Sequence, residues 1–327
     1  VANKEKFHFI APHTLDNNDE KMPEIENYDS ITNNYLLEKV NKGEKIVVVS
    51  PATPGASGLY PNIRKQLGNN YVDVGIAEQH AVGFISGIAS NGVKPVLEIV
   101  SSFIQRAYDQ LSQDLAINSN PAVILVHYAS MFAMNDATHL GIFDIPLISN
   151  IPNIVYLSPT NKEEHLAMLD WAVKQDKYPV AIRVPVGELV STGIKDNTDY
   201  SKLNKFKVVE EGQDIAILGL GNFFNLGKNV KEELKKHNIN ATLINPCFIS
   251  GIDKELLEKL KSNHKLVITL EDGIIDGGFG QKIASFYGNS SIKVLNFGAK
   301  KEFTDRVPFD EISKRYHLTK ELIVEDI

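Results

Sequence analysis

The sequence predicts two doubly wound α/β domains, the first built on a mainly parallel sheet and the second smaller. Two observations predict them: short β-branched runs alternate with helical patterns, and this alternation lapses once before it resumes. The 327 residues are enough for two domains that each bury a core. We place the domains at 29–190 and 207–327, with a polar linker arm at 1–28 and a second linker at 191–206.

The first domain begins with a helical stretch at 30–40, followed at 46–49 by a run of one isoleucine and three valines that favours a buried strand. Further β-branched runs predict strands, and the segments between them predict helices. The strands are at 71–75, 95–101, 122–128, 154–158 and 180–184, and the helices at 77–90, 103–118 and 161–175. Strands separated by helices form βαβ units, so we expect a parallel sheet with helices on both faces.

The second domain repeats this alternation on a smaller scale. Strands are predicted at 214–218, 241–245, 265–270 and 292–296, and helices at 223–237, 253–262 and 279–287. A short helix at 309–315 and a polar tail are expected to close the chain. The same pattern of strand and helix therefore predicts a second α/β sheet.

Charge and composition exclude several classes of function. With 34 Lys and Arg against 41 Asp and Glu, the net charge is −7 and there is no basic run, so we expect no nucleic-acid partner. The single cysteine, Cys247, can form neither an internal disulfide nor a cysteine-rich metal site, which is typical of a cytoplasmic protein. No apolar stretch is long enough to span a membrane, so we expect no membrane partner.

Three successive strands of the first domain are predicted to end in residues that could carry chemistry. Glu78 follows the second strand, Phe103 and Arg106 follow the third, and His139 lies in the polar loop after the fourth. Each also has an ordinary structural interpretation, because a Glu in a first helical turn complements the helix dipole and a Phe packs in a core. Ligands of open α/β sheets bind beyond the carboxyl ends of the strands, so the set indicates an active-site rim.

Three motifs contain these residues: GIAEQHAVG at 75–83, SSFIQRAYDQ at 101–110 and NDATHLG at 135–141. In this order and spacing they resemble the pyrimidine-binding domain of the 1-deoxyxylulose-5-phosphate synthases, and transketolases share a looser version. VITLEDGIIDGGFG at 267–280 and VLNFGAKKEFTDR at 294–306 resemble the C-terminal domain of the same enzymes. The resemblance covers essentially the whole chain, and it implies a transketolase-like pyrimidine-binding domain followed by a smaller transketolase C-terminal-like domain.

The resemblance implies that the first domain binds the aminopyrimidine end of thiamine diphosphate. In the family, the Glu that matches Glu78 hydrogen-bonds a ring nitrogen of this group and so activates the cofactor. Phe103 matches the aromatic residue that stacks on the ring, and Ile76 with Phe103 supplies an apolar setting. The diphosphate and Mg²⁺ are held in the family by a separate domain with a Gly-Asp-Gly motif, which this sequence lacks. We therefore expect the isolated chain to be inactive, with this domain either cut away or present as a separate subunit. The arm at 1–28 favours the first.

The resemblance also implies a set of substrate-binding residues. His139 matches a histidine that faces the reacting carbonyl and exchanges protons with substrate oxygens. Arg106 and Arg183 match cationic positions, where a guanidinium suits a phosphate or carboxylate. Tyr128 and Asn135 occupy further positions near the substrate.

Several of these positions depart from the synthase pattern. Tyr128 stands where the synthases have an Arg, and Val186 replaces the second Arg of their Arg-Tyr-Pro-Arg-Gly segment. In addition, Asn135 replaces an Asp and Val100 replaces a Tyr. A tyrosine offers one uncharged hydroxyl donor, whereas the arginine guanidinium is charged and can donate two parallel hydrogen bonds. The cofactor residues are thus kept while the substrate residues differ, which leaves open whether the acceptor is glyceraldehyde 3-phosphate or another aldehyde.

Two other segments imitate ligand-binding motifs. Glu271-Asp272-Gly273, with Asn296 downstream, imitates the metal motif, and Gly219-Leu220-Gly221 imitates a nucleotide fingerprint. The first falls where the synthases have a strand-end loop in their C-terminal domain, and the second lacks the third glycine, since position 224 is Phe. We expect no metal site in this chain, with the Mg²⁺ held by the missing domain.

The sequence thus predicts a transferase that uses thiamine diphosphate to join a 2-oxo acid to an aldehyde phosphate. The specific form is the condensation of pyruvate with glyceraldehyde 3-phosphate to 1-deoxyxylulose 5-phosphate, and a cytoplasmic homodimer is expected. Alternatives are a subunit of a split transketolase, the beta subunit of a 2-oxoacid dehydrogenase, and a non-catalytic dimerisation or regulatory relic.

Overall fold

The structure of the protein, a computed structural model, describes residues 26–327. Most of the predicted arm at 1–28 therefore lies outside the described residues. The described chain forms two sheets with helices on their faces, and the doubly wound α/β architecture predicted from the sequence is confirmed. No helix in this part of the chain has the length and apolar character needed to cross a membrane.

Six strands form the first sheet: β1 (Ile46–Ser50), β2 (Tyr71–Asp73), β3 (Lys94–Val100), β4 (Val123–His127), β5 (Val155–Leu157) and β6 (Val180–Arg183). All neighbours are parallel, in the order β2-β1-β3-β4-β6-β5. Both faces are covered, since Ile124 and Val126 of β4 enter one core and Val123 and Leu125 enter another. This explains why the strands are continuous apolar runs rather than alternating ones.

Seven helices accompany this sheet: α1 (Tyr28–Asn41), α2 (Pro61–Leu67), α3 (Glu78–Ser90), α4 (Ser101–Ile104), α5 (Tyr108–Gln110), α6 (Asp144–Ser149) and α7 (Lys162–Lys174). The prediction of one helix at 103–118 was wrong. The segment is divided into α4, a 3₁₀ turn at 105–107, α5 and a π-helical turn at 111–116. At Ala107 the backbone has φ −108° and ψ 21°, which interrupts the α-helical hydrogen bonds.

The second sheet contains β7 (Lys207–Glu210), β8 (Asp214–Gly219), β9 (Thr242–Asn245), β10 (His264–Ile274) and β11 (Lys293–Ala299). Their order is β11-β10-β8-β9-β7, with β7 antiparallel to β9 and the other neighbours parallel. The helices are α8 (Phe224–Lys236), α9 (Lys254–Leu260), α10 (Phe279–Tyr287), α11 (Phe309–Arg315) and α12 (Lys320–Asp326). The expected polar tail is instead the helix α12, which packs on α8 and buries Ile323 completely.

A buried ion cluster joins the two sheets. Arg183, at the end of β6, donates from Nε to Asp144 Oδ2 at 2.8 Å and from Nη1 to Asp272 Oδ1 on β10. Tyr156 donates to Asp144 at 2.5 Å, and Asn222 donates to the second oxygen of Asp272 at 2.7 Å. Burial disfavours the charged guanidinium, but the two carboxylates outweigh it and raise the pKa of Arg183 well above its usual value. The cluster therefore holds the first sheet against the second through fully charged groups.

Replacing Arg183 by methionine should destabilise the protein strongly. The substitution leaves Asp144 and Asp272, which are both buried, without their counter-charge. Breaking a buried ion pair from one side costs about 3–5 kcal/mol, and we expect a loss of this size in the free energy of unfolding measured by urea denaturation. Arg306→Met, at an exposed position, serves as the control. Equal stability of the two variants would contradict this role of the cluster.

Candidate active site

The carboxyl ends of β2, β3 and β4 bring the predicted rim residues to one edge of the first sheet. Glu78 opens α3 five positions after the end of β2, and Phe103 lies in α4 directly after β3. His139 lies in the loop that follows β4. Arg106 Nη1 lies 3.1 Å from Glu78 Oε2, and the rings of Phe103 and His139 meet edge to face with 5.5 Å between centroids. The structure thus brings the residues together as two contacting pairs.

The Glu78 carboxyl group is buried without a full set of partners. The residue is 2% exposed, yet its Oε2 accepts no hydrogen bond, because the nearby Arg106 guanidinium lies within ion-pair distance without hydrogen-bond geometry. No hydrogen bond from the Glu78 side chain caps the backbone of α3. A buried oxygen left unpaired costs about 1–3 kcal/mol, so a group that donates to Oε2 would be bound favourably here.

The His139 ring is oriented by its own loop. Its Nδ1 lies 2.8 Å from Asp136 Oδ1, which also accepts from Thr138 Oγ1 at 2.6 Å. Hydrogen bonds from Thr138 and from His139 lower the pKa of Asp136. A carboxylate at Nδ1 favours the tautomer that carries its proton there, which leaves Nε2 as the acceptor nitrogen. The ring can therefore exchange a proton through Nε2 with a group that lies against Phe103.

The second sheet's connections anchor the loop that carries His139. The backbone amide of Ala137 donates to Asp305 Oδ1 at 3.1 Å, and the amide of Arg306 donates to the carbonyl of Asn135 at 2.5 Å. The Phe132 ring also packs against Phe223 and Phe309, with 5.7 Å between centroids in each case. The position of His139 thus depends on residues more than 160 positions away in the sequence.

The other predicted residues occupy different environments. Ile76 is 77% exposed in the turn before α3, and the Asn135 side chain is exposed. Tyr128 is half-buried just after β4, in the left-handed region with φ 55°. Arg183 is 2% exposed and bound to two carboxylates, so the prediction that it holds an anionic substrate does not fit its position. All three nitrogens of its guanidinium donate to Asp144 or Asp272.

A second buried cluster was missed by the sequence analysis. His127, at the end of β4, pairs through Nε2 with Glu98 of β3 and through Nδ1 with Asp29 of α1 at 3.3 Å. Burial alone would lower the pKa of His127, but the two carboxylates raise it to about 10. Burial also raises the pKa of the Glu98 carboxyl group, an effect that the neighbouring His127 opposes. A Glu inside one buried apolar run and a His at the end of the next run were the signals that could have found it.

The two segments that resemble ligand-binding motifs have structural roles. Glu271 accepts from the amides of Phe279 and Gly280 at the start of α10, and burial raises the pKa of its carboxyl group to about 8. Asp272 belongs to the ion cluster, and the Asn296 amide oxygen accepts from Thr269 at 2.7 Å. Within residues 26–327, no group of three His, Cys, Asp or Glu side chains could hold a metal ion.

The glycines at 219 and 221 serve close packing. A Cβ at Gly221, which has φ +52°, would lie 2.2 Å from Ser158 Oγ, and one at Gly219 would lie 2.7 Å from the Phe224 backbone. The turn after β8 is thus filled by protein atoms and is not an open phosphate cradle.

Comparisons with known proteins agree with this architecture. Residues 27–191 match the family of the transketolase pyrimidine-binding domain, and residues 204–323 match the transketolase C-terminal domain. The chain is 36% identical to the 1-deoxy-D-xylulose-5-phosphate synthase of Clostridium tetani and 32% identical to that of Acidobacterium capsulatum. These alignments cover 99% and 100% of the chain but 52% of each relative, so the chain spans about half the length of the curated relatives it matches.

Solved structures share the fold. A split-gene transketolase described as an inactive beta4 tetramer superimposes with a TM-score of 0.76 at 23% identity, over 91% of this chain and 95% of its own. A transketolase of Pichia stipitis superimposes with a TM-score of 0.73 at 17% identity, over 91% of this chain and 45% of its own. At these identities the likeness establishes the arrangement of the two sheets.

Replacing Asp305 by alanine should loosen the His139 loop. The substitution removes the acceptor of the Ala137 amide, whereas Asp305→Asn retains an oxygen at the same place. We expect faster amide hydrogen exchange in peptides that cover residues 134–141 for the alanine variant, and little change for the asparagine variant. Unchanged exchange in both variants would show that other contacts hold the loop.

The His127 cluster predicts a pH dependence of stability. The folded protein keeps the imidazolium proton up to about pH 10, whereas an unfolded histidine releases it near about 6.5. The stabilisation is therefore complete below about pH 6.5 and is lost as the pH rises toward 10. We expect the difference in unfolding free energy between the native protein and Glu98→Gln/His127→Gln to shrink over this range in urea denaturation. A constant difference would contradict the charged state of His127.

Proposed function

The chain belongs to the transketolase family, and from that premise we propose that it supplies the pyrimidine-binding and C-terminal domains of a thiamine-diphosphate-dependent transferase. The proposed reaction is that named for its relatives, the 1-deoxy-D-xylulose-5-phosphate synthases. In chemical terms, the C1–C2 bond of pyruvate breaks with release of carbon dioxide. The acyl carbon then bonds to an aldehyde carbon, and the aldehyde oxygen takes up one proton.

The observation that carries the proposal is the buried Oε2 of Glu78, which lies within ion-pair distance of Arg106 but accepts no hydrogen bond from the described residues. Thiamine diphosphate presents an aminopyrimidine, a flat aromatic ring with polar nitrogens at its edge. A buried carboxyl oxygen with unused hydrogen-bonding capacity and a half-buried aromatic ring, Phe103, at the same edge of the sheet fit such a group. The exposed side chain of Ile76 would gain apolar contact with the bound cofactor. When bound, the cofactor supplies the electron sink that stabilises negative charge on the acyl carbon.

Two further residues act on the substrates in this proposal. His139 holds or delivers a proton at Nε2, beside the ring of Phe103. Arg106, whose side chain is 54% exposed, is available to the carboxylate of the 2-oxo acid. Tyr128 and Asn135 are proposed to contact the acceptor, whereas Arg183 is assigned to the ion cluster between the sheets.

The described residues do not fit the diphosphate end of the cofactor. They contain no group of side chains suited to a metal ion, and the turn after β8 is filled. We propose that a further domain or subunit binds the diphosphate and Mg²⁺, in keeping with relatives that are about twice as long as this chain. We also propose that the protein is a cytoplasmic homodimer that acts in the synthesis of isoprenoid and thiamine precursors.

A subunit of a split enzyme is the second candidate. It is favoured by the split-gene transketolase, whose chain is matched over 95% of its length. A neighbouring gene for a diphosphate-binding subunit would decide for this candidate. In either case the role proposed for Glu78 is the same.

The test is the substitution Glu78→Gln in the full-length gene product, or in the complex with its diphosphate-binding subunit. The amide keeps the size of the side chain but cannot share or donate a carboxyl proton, so we expect kcat/KM for consumption of pyruvate to fall at least about 100-fold. Its exposed neighbour provides the control, Gln79→Ala. The stabilisation that thiamine diphosphate with Mg²⁺ gives in a thermal melt should also weaken for the Glu78 variant. Full activity of Glu78→Gln would contradict the role proposed for Glu78, whereas a native protein that consumes no pyruvate would favour a non-catalytic module.

A further inference from the structure

A small pocket lies beside the rim described above. It has a volume of about 200 Å³ and is lined by residues that include Asp29, Ala56, His127, Tyr128, Pro185 and Val186. The backbone carbonyl of Tyr128 accepts from Ser101 Oγ at 3.0 Å, and a Cβ at Gly141 would lie 1.9 Å from that same carbonyl. Ser101 begins α4 and Gly141 follows the His139 loop directly. Tyr128, which lines the pocket, therefore contacts both α4, which carries Phe103, and the end of the loop that carries His139.

The charges around this pocket do not suit a phosphate. None of the described residues that line it is a lysine or an arginine. The one basic side chain among the described lining residues, the imidazole of His127, is already held between the carboxyl groups of Glu98 and Asp29. A phosphate ester brings close to two negative charges at neutral pH and is normally met by charged donors.

The nearest guanidinium along the chain is also committed elsewhere. Arg183 directly precedes the lining residue Val184, but both of its carboxylate partners lie in the interior. The positions at which the synthase pattern has arginines are filled by Tyr128 and Val186. The Tyr128 hydroxyl makes no hydrogen bond to any residue of the described chain, so it can donate to or accept from a ligand. These are the features of a site for a neutral hydroxyl-bearing group.

We propose that this pocket binds the uncharged, hydroxylated end of the acceptor, so that the protein condenses its 2-oxo acid with an unphosphorylated hydroxyaldehyde. This inference rests on the proposed function and specifies its acceptor. Tyr128 hydrogen-bonds the terminal hydroxyl, and Val186 with Pro185 excludes the larger and charged phosphate. His127 and Asp29 line the pocket, and the His127 ring is already bound by Asp29 and Glu98, so it is not available to bind a phosphate.

The test compares two acceptors in the full-length holoenzyme with pyruvate as donor. We expect kcat/KM for D-glyceraldehyde to exceed that for glyceraldehyde 3-phosphate by at least tenfold. The double variant Tyr128→Arg/Val186→Arg should reverse the preference and make the enzyme sensitive to inhibition by inorganic phosphate. The matched control, Ile194→Arg/Val209→Arg, adds the same two charges at exposed positions and should keep the native preference.

The outcomes separate this inference from the function on which it rests. Release of carbon dioxide from pyruvate, measured with each acceptor present, reports the donor half of the reaction. If carbon dioxide is released but glyceraldehyde 3-phosphate or an amine-bearing aldehyde is the better acceptor, the inference is overturned and the proposed function stands. If no carbon dioxide is released, both are overturned. If the double variant fails to fold, as judged by circular dichroism, the ratio of kcat/KM for the two acceptors in the native enzyme still tests the inference.

Discussion

The arrangement of the whole molecule depends on the buried interaction of Arg183 with Asp144 and Asp272. Its guanidinium ends a strand of the first sheet, and one of the carboxylates lies on the second. In an apolar interior such charges are stable only when their geometry is satisfied, so the cluster permits one placement of the two sheets. That placement brings the second sheet's loops against the carboxyl edge of the first, where ligands of α/β folds bind. The interaction joining the sheets thus also shapes the site.

The site is accordingly a product of both halves of the chain. Glu78 and Phe103 are positioned by their own strands and helices, but the loop of His139 is held by Asp305 and Arg306 from the second half. The unpaired carboxyl oxygen of Glu78 costs stability that a packed apolar side chain would not cost. Such a group is retained where a ligand supplies its missing hydrogen bond. This one oxygen atom is therefore a stronger indication of function than the contacts around it.

Much of the fold followed from periodicity, and the failures have identifiable causes. The helices at 279–287 and 309–315 were predicted with the bounds the structure has, because apolar spacing and flanking glycine or proline define them locally. The break at Ala107 and the helix α12 were missed, since the first depends on packing against α3 and the second on the burial of Ile323 against α8. Local helix propensity contains no information about either of these tertiary contacts.

The sequence by itself determined the two α/β sheets, the family resemblance and the rim of Glu78, Phe103 and His139, because hydrophobic period and motif spacing are properties of neighbouring residues. Only the tertiary structure decided what the charged groups do. Arg183 and His127 are both cations near strand ends, yet the structure buries each between carboxylates that are distant in sequence. The role of a charge depends on its partners and on its access to water, and both are fixed only when the chain has folded.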